Sequence, residues 1–417
     1  MYRKLVLDNG IRLVTERIPT LKSVTVGIWV NTGSRDEQLS QSGYSHFIEH
    51  MFFKGTRRRS ATQISREIDG LGGEMNAFTT RETTTFYVKV LDQQLERALE
   101  LLSDLFHQSR FDAKEIEKEK KVVLEEIRMV QDDPEDLVQE LHTGQVLGRH
   151  PLGRSILGRE ETIRGLRRQD LKAYIDAHYD PSQIVVAIAG NFEQAAVERL
   201  VQRYFGKTRA RNGAERPARR PADVRGGVLV KQKPLEQVHL CLGLKGIAAG
   251  HRDRYAAYAL NSVLGGSVSS RLFQEVREKR GLVYSIYSFL SGYTDIGTIT
   301  VYAGTRAKEV PRVVDLICRE IRSISRAGVE RKELERAKNQ MKGSLMLSLE
   351  SSHSRMSKLA KDELIYGSRT SLEEIIEHID CVTPDDVCAV GRQLFTMDHL
   401  AITGLGPISS RTLHAYR

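Results

Sequence analysis

No run of 18 or more apolar residues occurs in the 417-residue chain, so no stretch reads as a membrane-spanning helix. The four cysteines, Cys241, Cys318, Cys381 and Cys388, form no CxxC pair, which argues against a disulfide frame or a thiolate metal site and for reduced, buried thiols. The opening stretch MYRKLVLDNGIRLVTERIP alternates like a strand and turns at Asp8-Asn9-Gly10. It lacks the unbroken apolar core of a signal peptide, and the expectation is a cytoplasmic protein. Acidic residues fall short of basic ones, leaving a net charge of +9, which raises the question of a nucleic-acid partner. Much of that excess lies in GKTRARNGAERPARRPADVRGG, residues 206 to 227, which has no periodicity and no aromatic ring on which a base could stack. It reads as an exposed linker, and neither a nucleic-acid nor a membrane partner is expected.

What is present has the balance of an ordinary soluble globular protein, 40% hydrophobic and 28% charged. The length calls for two or more domains. Residues 4 to 18 and 23 to 31 read as strand hairpins, residues 45 to 54 as a helix, and 61 to 71 as a short helix closed by Gly72-Gly73. EMNAFTTRETTTFYVKVL alternates over two strands. Helices follow near 92 to 107, 112 to 131, 135 to 147 and 168 to 178, then a buried strand, IVVAIAG (184 to 190), and a helix ending near Phe205. The same order recurs after the linker. KELERAKNQMKGSLMLS lies over KEIEKEKKVVLEEIRMV at an offset of 218 residues, and TPDDVCAVGRQLFTMDHLAITGLG resembles LRRQDLKAYIDAHYDPSQIVVAIAGN. The expectation is an α/β (α+β) protein of two homologous domains, each a mostly antiparallel sheet packed with helices. They would span residues 1 to 206 and 228 to 417, with the linker at 207 to 227.

The segment SHFIEHMFFKGT, residues 45 to 56, carries the chemistry. At about 100° per helical residue, His46 and His50 fall about 40° apart on one face, with Glu49 about 60° to the side of His46. Two imidazoles can grip one ion while the carboxylate beside them acts as general base, but by itself the pattern also suits surface or capping histidines. A zinc site needs a third protein ligand and an open position. Glu126 is the candidate. Residues 112 to 131 form a strong helix with Asp112 as its cap and Asp132-Asp133-Pro134 as its stop, and Glu119 and Glu126, seven apart, share a face beside Val122 and Val123. At the repeat offset, Ala337 and Ser344 stand in their places, and the second half has no HxxEH.

HFIEHMFFKGT and EKEKKVVLEEI, with Glu126 76 positions after His50, resemble the M16 inverzincin metallopeptidases, and within them the bacterial relatives of mitochondrial processing peptidase. The resemblance covers essentially the whole chain. It implies that His46, His50 and Glu126 bind Zn2+, that Glu49 activates water, and that Glu119 is a carboxylate behind the ligands that orients one of them and supports catalysis. EMNAFT resembles the family's substrate-receiving edge strand, which implies that Asn76 and Ala77 bind peptide backbone. SRLFQEVREKRGLVYS resembles the segment whose arginine and tyrosine contact substrate, here Arg277 and Tyr284. The family's closed chamber of four such domains implies a homodimer that cleaves peptides or unstructured segments. The rival reading is a non-catalytic scaffold subunit of the same fold, against which the intact set His46, Glu49, His50 and Glu126 argues.

Overall fold

The alternating stretches of the first half become six strands: β1 (Tyr2–Val6), β2 (Arg12–Arg17), β3 (Ser23–Val30), β4 (Glu74–Thr79), β5 (Thr84–Leu91) and β6 (Ile184–Gly190). They lie in the order β1-β2-β6-β3-β5-β4, with β2 and β6 parallel and the other neighbours antiparallel. The second half supplies β7 (Gly227–Gln232), β8 (Val238–Gly246), β9 (Val283–Gly292), β10 (Gly297–Thr305) and β11 (Ala401–Gly406), in the order β7-β11-β8-β10-β9 with β7 and β11 parallel. β6 lies between β2 and β3 as β11 lies between β7 and β8, β4 and β9 each form an edge, and β1 is an addition to the first sheet. The duplicated sequence pattern is therefore a duplicated topology. This computed structural model describes residues 1–208 and 219–416.

One departure from the sequence expectation has a simple cause. Residues 23 to 30 form one unbroken strand rather than a hairpin. β3 is flanked by β5 on one side and β6 on the other and buried along nearly its whole length, so its near-continuous apolar run reflects cover on both faces. Cys381 is exposed, whereas Cys241, Cys318 and Cys388 are buried; all four thiols are free. Part of the expected linker, residues 209–218, lies outside the described residues. Arg219, in the middle of that linker, is not an exposed residue: its guanidinium bonds both oxygens of Asp36, at 3.0 and 2.9 Å, and the carbonyl of Glu82 at 2.9 Å.

Neither of the two units into which the chain divides is contiguous. The first comprises Met1–Arg128, Arg154–Arg219 and Ser348–Arg369, and the second Met129–Gly153, Arg220–Leu347 and Thr370–Arg417. Each half thus donates a helix to the other's unit. In the first unit, the helix Ser352–Tyr366 packs on β2, β3 and β6, burying Met356, Leu359 and Ala360 against Val14, Trp29, Val185, Ala187 and Ala189. In the second, Pro134–Leu147 packs on β8 and β11, burying Leu137 and Val138 against Cys241, Tyr302 and Leu405. This cover explains why every residue of β6 and β11 is buried. Among the described residues no helix is long and apolar enough to cross a membrane.

Candidate metal centre

The motif segment is helical over Tyr44–Phe52. Its start requires glycine: Gly43 has φ +94°, and a Cβ there would meet the Leu157 carbonyl oxygen at 2.7 Å. No side chain at the cap position satisfies the first N–H groups. The buried Glu37 carboxylate accepts them instead, from Gly43 and Ser45, each at 2.8 Å. Burial pushes the Glu37 carboxyl up to about 8, against the lowering effect of these same N–H groups. Phe47, Ile48, Met51 and Phe52 are at most 2% exposed. Each contributes about 2 kcal/mol by its burial, which locks the helix in rotation. His46, Glu49 and His50 are consequently held on the remaining face.

The third carboxylate comes from the helix Ala113–Asp132. Asp112 Oδ1 accepts the Lys114 N–H at 2.9 Å, and Asp133 caps the next helix through Glu135 and Asp136. Glu115 and Glu117 pair with Lys118 and Lys120. The buried stripe is Ile116, Val123, Leu124 and Ile127. Val122, expected beside the two glutamates, is 44% exposed and outside that stripe, because it precedes Val123 by about 100° of turn, which carries it past the glutamates to the side opposite Leu124.

Three side chains converge. His46 Nε2 and His50 Nε2 are 3.2 Å apart, and Glu126 Oε2 is 3.6 Å from each. Donors bound at about 2.0–2.2 Å in a tetrahedral shell stand about 3.3–3.6 Å from one another. The trio therefore fits an ion such as Zn2+ that leaves a fourth position open. Charge favours coordination by His46 and works against it at His50. Burial and the neighbouring His50 push His46 down to about 3, so its imidazole is neutral and its lone pair free. Burial likewise disfavours charge on His50, but its hydrogen bond to Glu119 and the nearby carboxylates outweigh that and raise its pKa.

Glu119 stands behind the trio. Its Oε1 is 2.8 Å from His50 Nδ1 and its Oε2 2.6 Å from Lys54 Nζ. Burial alone would raise its carboxyl, yet the hydrogen bonds from His50 and Lys54 bring it below the usual range. Glu49 accepts a hydrogen bond from Thr79 Oγ1 at 2.5 Å; burial nonetheless raises its pKa.

Thr79 ends β4, which pairs with β5 alone and forms an edge of its sheet. Asn76 and Ala77 lie in the middle of this edge, and the Ala77 N–H is bonded to Asn76 Oδ1 at 2.8 Å. Arg277 and Tyr284 come together in the second unit. The guanidinium, in a π-helical turn over Phe273–Glu278, lies 4.7 Å from the Phe273 ring centre and 5.6 Å from that of Tyr284, whose side chain is 80% exposed. The repeat helix Arg331–Ser348 carries Ala337 and Ser344 at the positions of Glu119 and Glu126 and so offers no ligand there. Sequence reasoning missed three contributors. Lys54 was visible in the FKGT tail and Thr79 at the end of EMNAFT, but nothing local marked Glu37.

Two family models match the chain: insulinase (peptidase family M16) over residues 12–160, and peptidase M16 inactive domain over residues 165–341. A Bacillus subtilis (strain 168) protein named uncharacterized zinc protease YmxG is 44% identical over 402 residues, covering 96% of this chain and 97% of its own. A Streptomyces coelicolor protein, also named an uncharacterized zinc protease, is 40% identical over 415 residues, with 98% and 90% covered. The crystal structure of a protease from Helicobacter pylori superposes with a TM-score of 0.90 at 23% identity, covering 98% and 99% of the two chains, which is a likeness of fold. With identity sustained along nearly the full length of both bacterial sequences, this chain belongs to peptidase family M16.

Proposed function

We propose that the protein is a zinc-dependent endopeptidase whose site is built from His46, His50 and Glu126 as ligands and Glu49 as general base. The observation that carries this is the convergence of three donor atoms within 4.8 Å from helices far apart in sequence, with a carboxylate from the same helix turn beside them. Zn2+, when bound, would supply Lewis acidity and make a water molecule acidic enough to attack near neutral pH. The chain's own residues do the rest. Glu119 accepts from His50 Nδ1 and so turns Nε2, with its lone pair, toward His46 and Glu126. Glu49 takes the proton of the attacking water and returns it to the leaving amine; the upward pull of burial brings its pKa toward the working range of a base at neutral pH.

An extended peptide can add to the free edge of β4, where Asn76 and Ala77 would bind its backbone and the Ala77 N–H would exchange its present partner for a peptide carbonyl. Arg277 and Tyr284, already in contact, would stabilise the developing oxyanion. The resemblance to the family's chamber-forming members supports a homodimer acting on peptides and unstructured segments, and the strand-like opening stretch supports a cytoplasmic location. Metal analysis with cleavage of a quenched peptide library tests the reading. Wild type is expected to hold one zinc per chain and to cleave. Glu49→Gln is expected to keep the zinc and lose about 10²–10⁴-fold in kcat. Zinc retained by a wild type that cleaves no peptide would favour the scaffold reading instead.

A further inference from the structure

The FKGT tail of the motif contains a charge that the peptidase reading leaves unused. Lys54 follows the motif helix by two residues; its own N–H is held by the Met51 carbonyl at 3.2 Å, and Gly55, at φ +107°, turns the chain away immediately after it. Its Nζ reaches Glu119 Oε2 at 2.6 Å while the other oxygen of that carboxylate meets His50 Nδ1 at 2.8 Å. Glu119 is 3% exposed. A carboxylate so removed from water stays in place as an anion only with partners on its oxygens. One of these partners is His50. The other is the Lys54 ammonium, and nothing in the peptidase reading assigns it a part.

We propose that Lys54 is a positioning residue for metal binding: by anchoring Glu119 it fixes the orientation and tautomer of His50, so that Nε2 presents a lone pair to the ion. The inference rests on the reading of His46, His50 and Glu126 as ligands. The physical chain is short. A carboxylate gripped on one oxygen cannot swing away from the imidazole on the other, and an imidazole whose Nδ1 carries the proton has Nε2 free to coordinate. Without the ammonium, Glu119 is free to rotate toward solvent and the ring loses the partner that selects its tautomer. Lys54 itself does not touch the ligand atoms of His46 or Glu126; it acts through Glu119 alone.

Competition of the full-length protein against a zinc chelator, read as the zinc dissociation constant, tests this without any activity measurement. Lys54→Met is expected to weaken zinc about 10–100-fold, the usual cost of losing a partner behind a ligand. Lys54→Arg, which keeps a cation within reach of the carboxylate, is expected to recover most of the loss. In a Glu119→Gln background, Lys54→Met is expected to add nothing, because the lysine has no other route to the metal. Wild-type affinity in Lys54→Met, or an equal weakening in both backgrounds, overturns the proposal. Should Lys54→Met lose the wild-type circular dichroism, Lys54→Gln, a neutral donor of similar reach, is measured the same way; wild-type affinity in that variant overturns the proposal. A wild type that binds no zinc at all would overturn the ligand reading itself, so the two failures are distinguishable.

Discussion

Replacing Thr79 by valine removes one hydroxyl and almost no volume, which isolates the bond between the edge strand and Glu49, the proposed general base. The Thr79 Oγ1 to Glu49 Oε2 distance of 2.5 Å marks a charge-assisted hydrogen bond. Such bonds to charged groups contribute about 1.5–3 kcal/mol. If the bond holds Glu49 in position for proton transfer, its loss raises the barrier by about that amount, or about 10–160-fold in rate, with about 30-fold for 2 kcal/mol. The loss is expected in kcat and not in KM, since the hydroxyl bonds the base and not the peptide backbone. Thr79→Ser, which keeps the donor, should recover most of the activity. The pH profile carries a second signature. Burial raises the Glu49 pKa and the Thr79 bond opposes that rise, so removing it moves the acid limb of kcat, where the base becomes protonated, to higher pH. The assay is steady-state cleavage of a quenched peptide from pH 5 to 9 with Thr79→Val, Thr79→Ser and wild type. A kcat within twofold of wild type in Thr79→Val, or Thr79→Ser as impaired as Thr79→Val, would refute the assigned role.

Two further outcomes concern the units that carry the site. Burial pushes His142, on the donated helix of the second unit, down to about 3. An unfolded histidine titrates near 6.5, so below that pH the unfolded chain binds a proton that the folded one refuses. The stability that neutral His142 confers is full above pH 6.5 and lost as pH falls toward 3, at about 1.4 kcal/mol per pH unit, or about 2 kcal/mol by pH 5. In His142→Gln, urea unfolding at pH 7 and pH 5 is expected to show about 2 kcal/mol less acid destabilisation than wild type, and an unchanged pH dependence would contradict this. In the first unit, Met356 is fully buried and its Sδ accepts from Trp29 Nε1 at 3.2 Å. Met356→Ala is expected to cost about 2–5 kcal/mol, read by the fluorescence of Trp29, the chain's single tryptophan; a cost below about 1 kcal/mol would mean that the donated helix is not integral to that unit.

The pattern along the chain already held much of this architecture. Period-two stretches marked β4 and β5, an unbroken apolar run marked β6, and the recurrence of element order at an offset of 218 residues foreshadowed two sheets of one topology. The seven-residue spacing of Glu119 and Glu126 put them on one side of a helix, and the four-residue spacing of His46 and His50 did the same for the imidazoles. Those relations are local: they follow from 3.6 residues per turn and two per pleat. What covers a buried face is not local. The run IVVAIAG announces cover on both sides of β6 but cannot say that one cover is a helix beginning at Ser352. Asp132-Asp133-Pro134 announces the end of a helix but not that the next one joins the other unit.

The amino-acid sequence by itself determined which residues are the candidates to carry the chemistry and which face of each helix they occupy, because backbone geometry converts spacing into direction. Only the tertiary structure decided that Glu126 meets both imidazoles, that Lys54 and Thr79 grip Glu119 and Glu49, and that Glu37 caps the motif helix. Apart from the nearby Glu37, those contacts join residues whose separation in sequence says nothing of their separation in space, and they exist because packing of distant apolar faces leaves one low-energy arrangement of the helices.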